Sequence, residues 1–122
     1  MDSAEKRFYQ RSDHFNIVAR TSRDKRRWKK VFIHNISSGG LQFSTDEEFT
    51  TGEVIWFDLA IQGFFSEFEV NTRGEIRNVN MHEGRYVCGV VFVELNTDIK
   101  ILIDENIKSD RPVFGEPYLS DL

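Results

Sequence analysis

Little in this sequence could staple, kink or anchor the chain. Its 122 residues include one cysteine, Cys88, so no intrachain disulfide can form. Cys88 sits in the apolar run Tyr86-Val87-Cys88-Gly89-Val90-Val91-Phe92-Val93 and reads as a buried free thiol in a reducing compartment. The two prolines, Pro112 and Pro117, both fall near the C-terminus, so nothing before them breaks a regular backbone in the way proline does. No apolar stretch approaches the roughly 20 residues of a transmembrane helix. Met1-Asp2-Ser3-Ala4-Glu5-Lys6-Arg7 lacks the apolar region of a signal peptide. A cytoplasmic protein without membrane insertion is expected. His14, His34 and His82 have no metal-ligand spacing, and the lone cysteine lies in an apolar segment, so no metal is assigned. No GxxxxGK[ST] loop and no recognisable nucleophile–base arrangement occurs. An enzyme is not expected, and no catalytic residue is assigned.

Apolar material is present in quantity: 39% of residues are hydrophobic and eleven are Phe, enough for one unstapled domain. The net charge of -4 conceals an asymmetry. Residues 1–30 carry ten Lys or Arg against four acids, and the remainder carries six against sixteen. Such a chain does not resemble a general DNA or RNA coater. One local anion site fits it better, although residues 20–30 by themselves read as a solvated charged hairpin.

Residues 1–12 are polar and basic, with Phe8 and Tyr9 as the large apolar groups, and read as an arm outside the core. Without ligand this arm is expected to be mobile, having little apolar surface to hold it down. Strand-like runs then fall near 14–20, 27–34, 40–44, 53–61, 65–79 and 85–95, separated by turn-forming residues. Ile55, Phe57, Leu59 and Ile61 share one face of the fourth run, and Val54, Trp56 and Asp58 the other. Val70, Thr72, Gly74 and Ile76 oppose Asn71, Arg73, Glu75 and Arg77 in the fifth, where the charges suggest a surface ladder. The sixth run is apolar on both faces, as a strand covered on both sides would be. Together these runs suggest a closed barrel or a sandwich. After Leu95 the period changes. Asn96-Thr97-Asp98 makes a good helix start, and Ile99, Leu102, Ile103 and Ile107 form one face of a helix over 97–109. Residues 111–122 form a tail containing both prolines. Trp28 and Trp56 read as packing residues.

Two motifs stand in a suggestive order. Arg7-Phe8-Tyr9-Gln10-Arg11 is an RxxxR in the arm. Asn35-Ile36-Ser37-Ser38-Gly39-Gly40 is an NxSxxG between two strands. RxxxR also occurs at Arg23/Arg27 and Arg73/Arg77, so its position in the arm matters more than its composition. With Gly89-Val90-Val91-Phe92-Val93-Glu94-Leu95 before the helix, the order resembles the PilZ family of cyclic di-GMP receptors over roughly residues 5–109.

The resemblance implies an all-β fold, a six-stranded antiparallel barrel over 13–110 that includes a C-terminal amphipathic helix. It implies that Lys6, Arg7 and Arg11 of the arm and Asn35, Ser37, Gly39 and Gly40 of the loop bind cyclic di-GMP, with His34 and Arg77 as candidate additional contacts. Arginine can donate two parallel hydrogen bonds to guanine O6 and N7, stack on a base or clamp a phosphate. Asn35 and Ser37 can reach base edges or phosphate oxygens. Gly39 and Gly40 permit positive φ and close backbone approach. Lys6 precedes the first motif arginine, where a basic residue goes with two stacked ligand molecules in the family, so two per chain are expected. Two departures from the family pattern stand out: Asn35 where Asp is common, and Ser12 where an apolar residue is common. Ordering of the arm would relay the signal to a protein effector that the sequence does not identify. Two other readings are a PilZ-like adaptor that binds protein alone and a single-stranded nucleic-acid barrel using Trp28 and Phe32.

Overall fold

The computed structural model describes residues 16–107, together with the backbone of Gln10 and Arg11. Seven strands and one helix follow in chain order: β1 (Gln10–Arg11), β2 (Asn16–Ser22), β3 (Lys29–Ile36), β4 (Gly40–Thr45), β5 (Val54–Gln62), β6 (Glu67–His82), β7 (Arg85–Phe92) and α1 (Thr97–Ile107). All pairings are antiparallel. Six strands run β2-β3-β4-β7-β6-β5, and β5 pairs back onto β2, so the sheet closes into a barrel. Closure removes the open edges that a sandwich would leave. The short β1 adds to β2 outside this ring.

The alternation read from the sequence is realised. Ile55, Phe57, Leu59 and Ile61 are buried, while Val54, Trp56 and Asp58 face outward. Val70, Thr72, Gly74 and Ile76 point inward from β6. Phe43 lies at the centre, edge-on to Phe57 at 5.5 Å and to Phe49 at 6.0 Å between ring centroids. Gly74 is required by packing: a Cβ there would lie 2.3 Å from Val90 Cγ1 and 2.9 Å from the Phe57 ring. Burial pushes the Cys88 thiol up to about 11, so it stays protonated and unreactive in the folded protein.

Several expectations need correction. The last strand is covered on one face only. Val91 and Val93 are 43% and 42% exposed, because a closed barrel offers its strands a single interior. The first strand reaches Ser22 rather than Arg20, since Thr21 and Ser22 pair with Phe57 and Trp56. β6 runs on to His82 as a hairpin with β7. The expected start of the first strand at His14 lies outside the described residues, as does the helix beyond Ile107.

The helix begins as expected. Asn96 Oδ1 accepts the Asp98 N–H at 2.7 Å, a side-chain cap. Ile103 and Ile107 are buried against the barrel. So is Asn106, which the apolar periodicity could not reveal. Its Oδ1 accepts the N–H groups of Phe65 and Ser66, each at 2.7 Å, and its Nδ2 donates to the Leu102 carbonyl at 2.9 Å. Gly63 makes room, since a Cβ there would lie 2.4 Å from Asn106 Cβ. This one side chain fastens α1 to the β5–β6 turn. Among the described residues, no helix is long and apolar enough to cross a membrane.

Asn106→Ala should leave the Phe65 and Ser66 N–H groups without their side-chain acceptor. Unfolding in urea should show a loss of roughly 1–3 kcal/mol, the net worth of two hydrogen bonds; a loss below ~0.5 kcal/mol would mean that water replaces the amide at no cost.

Candidate functional site

The loop between β3 and β4 lies at one end of the barrel. The register fixes which end. Asn16 at the start of β2 pairs with Gln62 at the end of β5, and β3 runs antiparallel to β2, so Ile36 and Gly40 are at the Asn16 end. The β5–β6 turn and its clamp to α1 are at that end too. The turn is tight. The Ser37 N–H donates to the Gly40 carbonyl at 2.9 Å, the Gly39 N–H to Ser37 Oγ at 3.2 Å, and the Phe92 N–H to the Gly39 carbonyl at 2.9 Å.

The two motif glycines differ from expectation. Neither has positive φ; in the described chain that conformation falls to Gly52 and Gly84 among the glycines. Gly40 is needed for closeness instead, because a Cβ on it would lie 2.0 Å from the Val90 carbonyl oxygen. Gly39 has open space around it: a Cβ there would meet only Ser37 Oγ, at 3.9 Å.

A β-bulge turns Asn35 outward. Simple alternation from the buried Ile33 would point Asn35 into the core. The pairing with β4 jumps from Ile33↔Phe43 to Asn35↔Gln42, leaving His34 as the extra residue. His34 and Asn35 are both exposed, and Ile36 returns to the interior. β6 repeats the device: Ile76 pairs with Val90 and Asn78 with Gly89, so Arg77 is extra, and both Arg77 and Asn78 are exposed. The two bulges align. Asn35, Gln42, Gly89 and Asn78 form one row across β3, β4, β7 and β6 on the outer surface. Asn35 Nδ2 donates to Gln42 Oε1 at 3.1 Å. Gly89 stays small because a Cβ would lie 2.9 Å from the Asn78 amide. Sequence reasoning missed Gln42 and Asn78 and read Gly89 only as part of the last strand, since only the register brings the three beside the loop.

The arm joins at the same end. β2 gives its β3-side edge to β3 only at Ala19, Arg20 and Thr21. Beyond them Gln10 pairs with Ile17 and Arg11 with Asn16. β5 fills the opposite edge of β2 along its whole length, so β1 must lie on the side of β3. The backbone of Arg11 is thus at the loop end of the barrel. Lys6 and Arg7, the Arg11 side chain and the 111–122 tail lie outside the described residues.

The PilZ domain model matches residues 5–109, nearly the whole chain. The chain belongs to the PilZ family. A comparison with curated proteins finds no match.

The arginines that open the other two RxxxR motifs of this PilZ domain, Arg23 and Arg73, are engaged elsewhere. Arg23 is in the β2–β3 turn, at the barrel end opposite the loop. It bonds Glu47 and Glu53, donates to the Glu48 carbonyl at 2.7 Å and lies 4.4 Å from the Phe49 ring centroid. Arg73 sits 3.5 Å from Glu94 and over Trp56, so the expected charge ladder through Glu75 does not form. The bulge takes Arg77 out of step with Glu75, and Arg77 has no ion-pair partner among the described residues. Both tryptophans carry cations on their rings: Arg20 at 4.7 Å over Trp28, Lys25 at 4.3 Å over Trp56. Those faces are not free platforms for a nucleic-acid base. A cleft of about 340 Å³ beside Trp28 is lined by Arg23, Arg27 and Lys29 but also by Asp24 and Glu47, so its charge is largely matched.

The turn carrying these cations is organised by Asp24. Its Oδ1 accepts the N–H groups of Arg26 and Arg27 at 2.8 and 3.0 Å, and Ser22 Oγ donates to it at 3.0 Å. The Arg27 and Arg26 backbone bonds, with Ser22, hold this exposed carboxyl down at about 2. A depressed folded pKa contributes stability above the usual carboxylate range, and that contribution is lost as pH falls through the folded value. The amide resonances of Arg26 and Arg27 should therefore titrate with a midpoint near 2. A midpoint near 3.8, the ordinary aspartate value, would mean that the bonds do not persist in solution.

Proposed function

We propose that this PilZ domain is a receptor for cyclic di-GMP. Lys6, Arg7 and Arg11 of the arm would hold the ligand from one side. Asn35, Ser37, Gly39 and Gly40 of the loop would hold it from the other, with His34 and Arg77 as neighbouring contacts. The observation that carries the proposal is the pairing of Gln10 and Arg11 with β2 at the barrel end that bears the Asn35 loop. The two motifs are far apart in sequence, and that pairing makes a single site of them sterically reasonable.

The chemistry suits the ligand. Cyclic di-GMP offers two guanines and two phosphates. Arginines from the arm can donate to guanine O6 and N7 or to phosphate. Ser37 is exposed, and Asn35 is turned outward by the bulge, so both can meet a base edge. Binding would draw the arm onto the loop, and the changed surface would be what a protein effector reads.

Calorimetric titration with cyclic di-GMP tests the reading. Arg7→Ala and Arg11→Ala should each weaken binding about tenfold to a hundredfold, the scale of one bidentate contact, without moving the thermal midpoint of the free protein. Arg23→Ala should leave affinity alone, because Arg23 lies at the opposite end of the barrel, and should lower the midpoint only slightly through its contact with Phe49 and its exposed ion pairs. Amide exchange at residues 6–12 and 35–40 should slow on saturation. If Arg23→Ala weakens binding more than Arg11→Ala, the arm is not the site.

We further propose two ligand molecules per chain. Stacked ligands bring four phosphates together, and Lys6, Arg7 and Arg11 would supply three cations to offset them. Lys6→Leu should shift the saturating ratio from two towards one. Saturation of the unaltered protein at one ligand per chain, under ligand excess, would overturn the stacked pair while leaving the receptor intact.

A further inference from the structure

We propose that the uncovered edge of β6, from Asn78 to His82, binds the same edge of a second copy of this chain, in an antiparallel ladder centred on Asn80. The proposal does not rest on the ligand reading above. β6 outruns its neighbour on one side. Its ladder with β5 ends at Val54↔Glu75. The turn before β5 serves one residue more: the Gly52 N–H donates to the Ile76 carbonyl at 2.7 Å, and the Ile76 N–H to the Glu53 carbonyl at 2.8 Å. From Asn78 to His82, β6 pairs with β7 alone. A strand paired on one side turns about half of its N–H and C=O groups to the other, here to no strand among the described residues. The β6–β7 hairpin therefore rises past the rim of the barrel with one edge open.

The side chains along this edge complement themselves. Residues 78–82 contain no Lys and no Pro, the residues that commonly keep such edges apart. Val79 and Met81 share one face; Val79 is half-buried and Met81 is 62% exposed. A two-fold axis at Asn80 sets Met81 opposite the partner's Val79 and Asn78 opposite the partner's His82, so apolar meets apolar and polar meets polar. It also brings Arg77 beside the partner's Glu83, twice. Arg77 has no ion-pair partner among the described residues, and Glu83 is 85% exposed and meets His82 Nε2 only at 4.0 Å. Neighbouring registers lose these matches. An axis at Val79 would oppose Met81 to the partner's Arg77, and an axis at Met81 would oppose Val79 to the partner's Glu83. Five residues a side are far fewer than a standard stable interface uses, so the dimer is weak and concentration-dependent.

Sedimentation equilibrium of the full chain without ligand tests this, from about 10 μM to about 1 mM, the range of weak association. The unaltered protein should pass from monomer to dimer. Met81→Lys places a charge on the apolar strip and should weaken the dimer. Arg77→Glu and Glu83→Arg each set like charges together at two places and should weaken it about tenfold. The double variant, Arg77→Glu with Glu83→Arg, exchanges the charges and should restore it. A monomer at every concentration would overturn the proposal. So would a dimer indifferent to the single variants, or a double variant no tighter than either of them. None of these outcomes depends on whether the protein binds cyclic di-GMP.

Discussion

The candidate site depends on how β2 divides its hydrogen bonds between two neighbours. With β5 it pairs through seven residues, from Asn16↔Gln62 to Ser22↔Trp56. With β3 it pairs through three. The long ladder closes the barrel and commits Ile17, Ala19 and Thr21 to its interior. The short ladder leaves part of β2 with unpaired backbone groups, which any strand must satisfy or expose. β1 takes that vacancy at Ile17 and Asn16. A full β2–β3 ladder would occupy the edge and leave the arm no backbone partner there.

The bulges at His34 and Arg77 make the second contribution. A strand alternates strictly, so each added residue reverses which side chains face out. Asn35 becomes a surface residue because His34 is inserted before it, and Asn78 because Arg77 is. Between them Gln42 and Gly89 complete a polar row over an interior row of Ile36, Leu41, Val90 and Ile76. The result is a patch of amides on the barrel wall, beside the loop, with hydrophobic core directly beneath.

The basic N-terminal third of the chain divides accordingly. Much of its charge belongs to the β2–β3 hairpin, where acids from later strands and loops meet it: Arg20 with Asp58, Arg23 with Glu47 and Glu53, Lys29 with Asp46. These are exposed or half-exposed pairs, each worth little to stability in water. These pairs take the hairpin cations out of competition for an anion.

The sequence by itself determined the fold class, the inward faces of β5 and β6, the helix start at Asn96 and the pair of motifs. Those features depend on period, composition and local capping, which neighbouring residues encode. Tertiary structure decided the rest. Asn35 points outward only because a bulge shifts the register against β4, and nothing in Ile33-His34-Asn35 announces a bulge. Gly40 matters for its closeness to the Val90 carbonyl, although its sequence context suggested backbone freedom. Asn106 looked like one more polar residue on an amphipathic helix, yet it is buried because a turn forty residues earlier needs an acceptor there. In each case the deciding partner lies on another strand or turn. Contacts between distant segments are set by register and closure, which no local pattern contains.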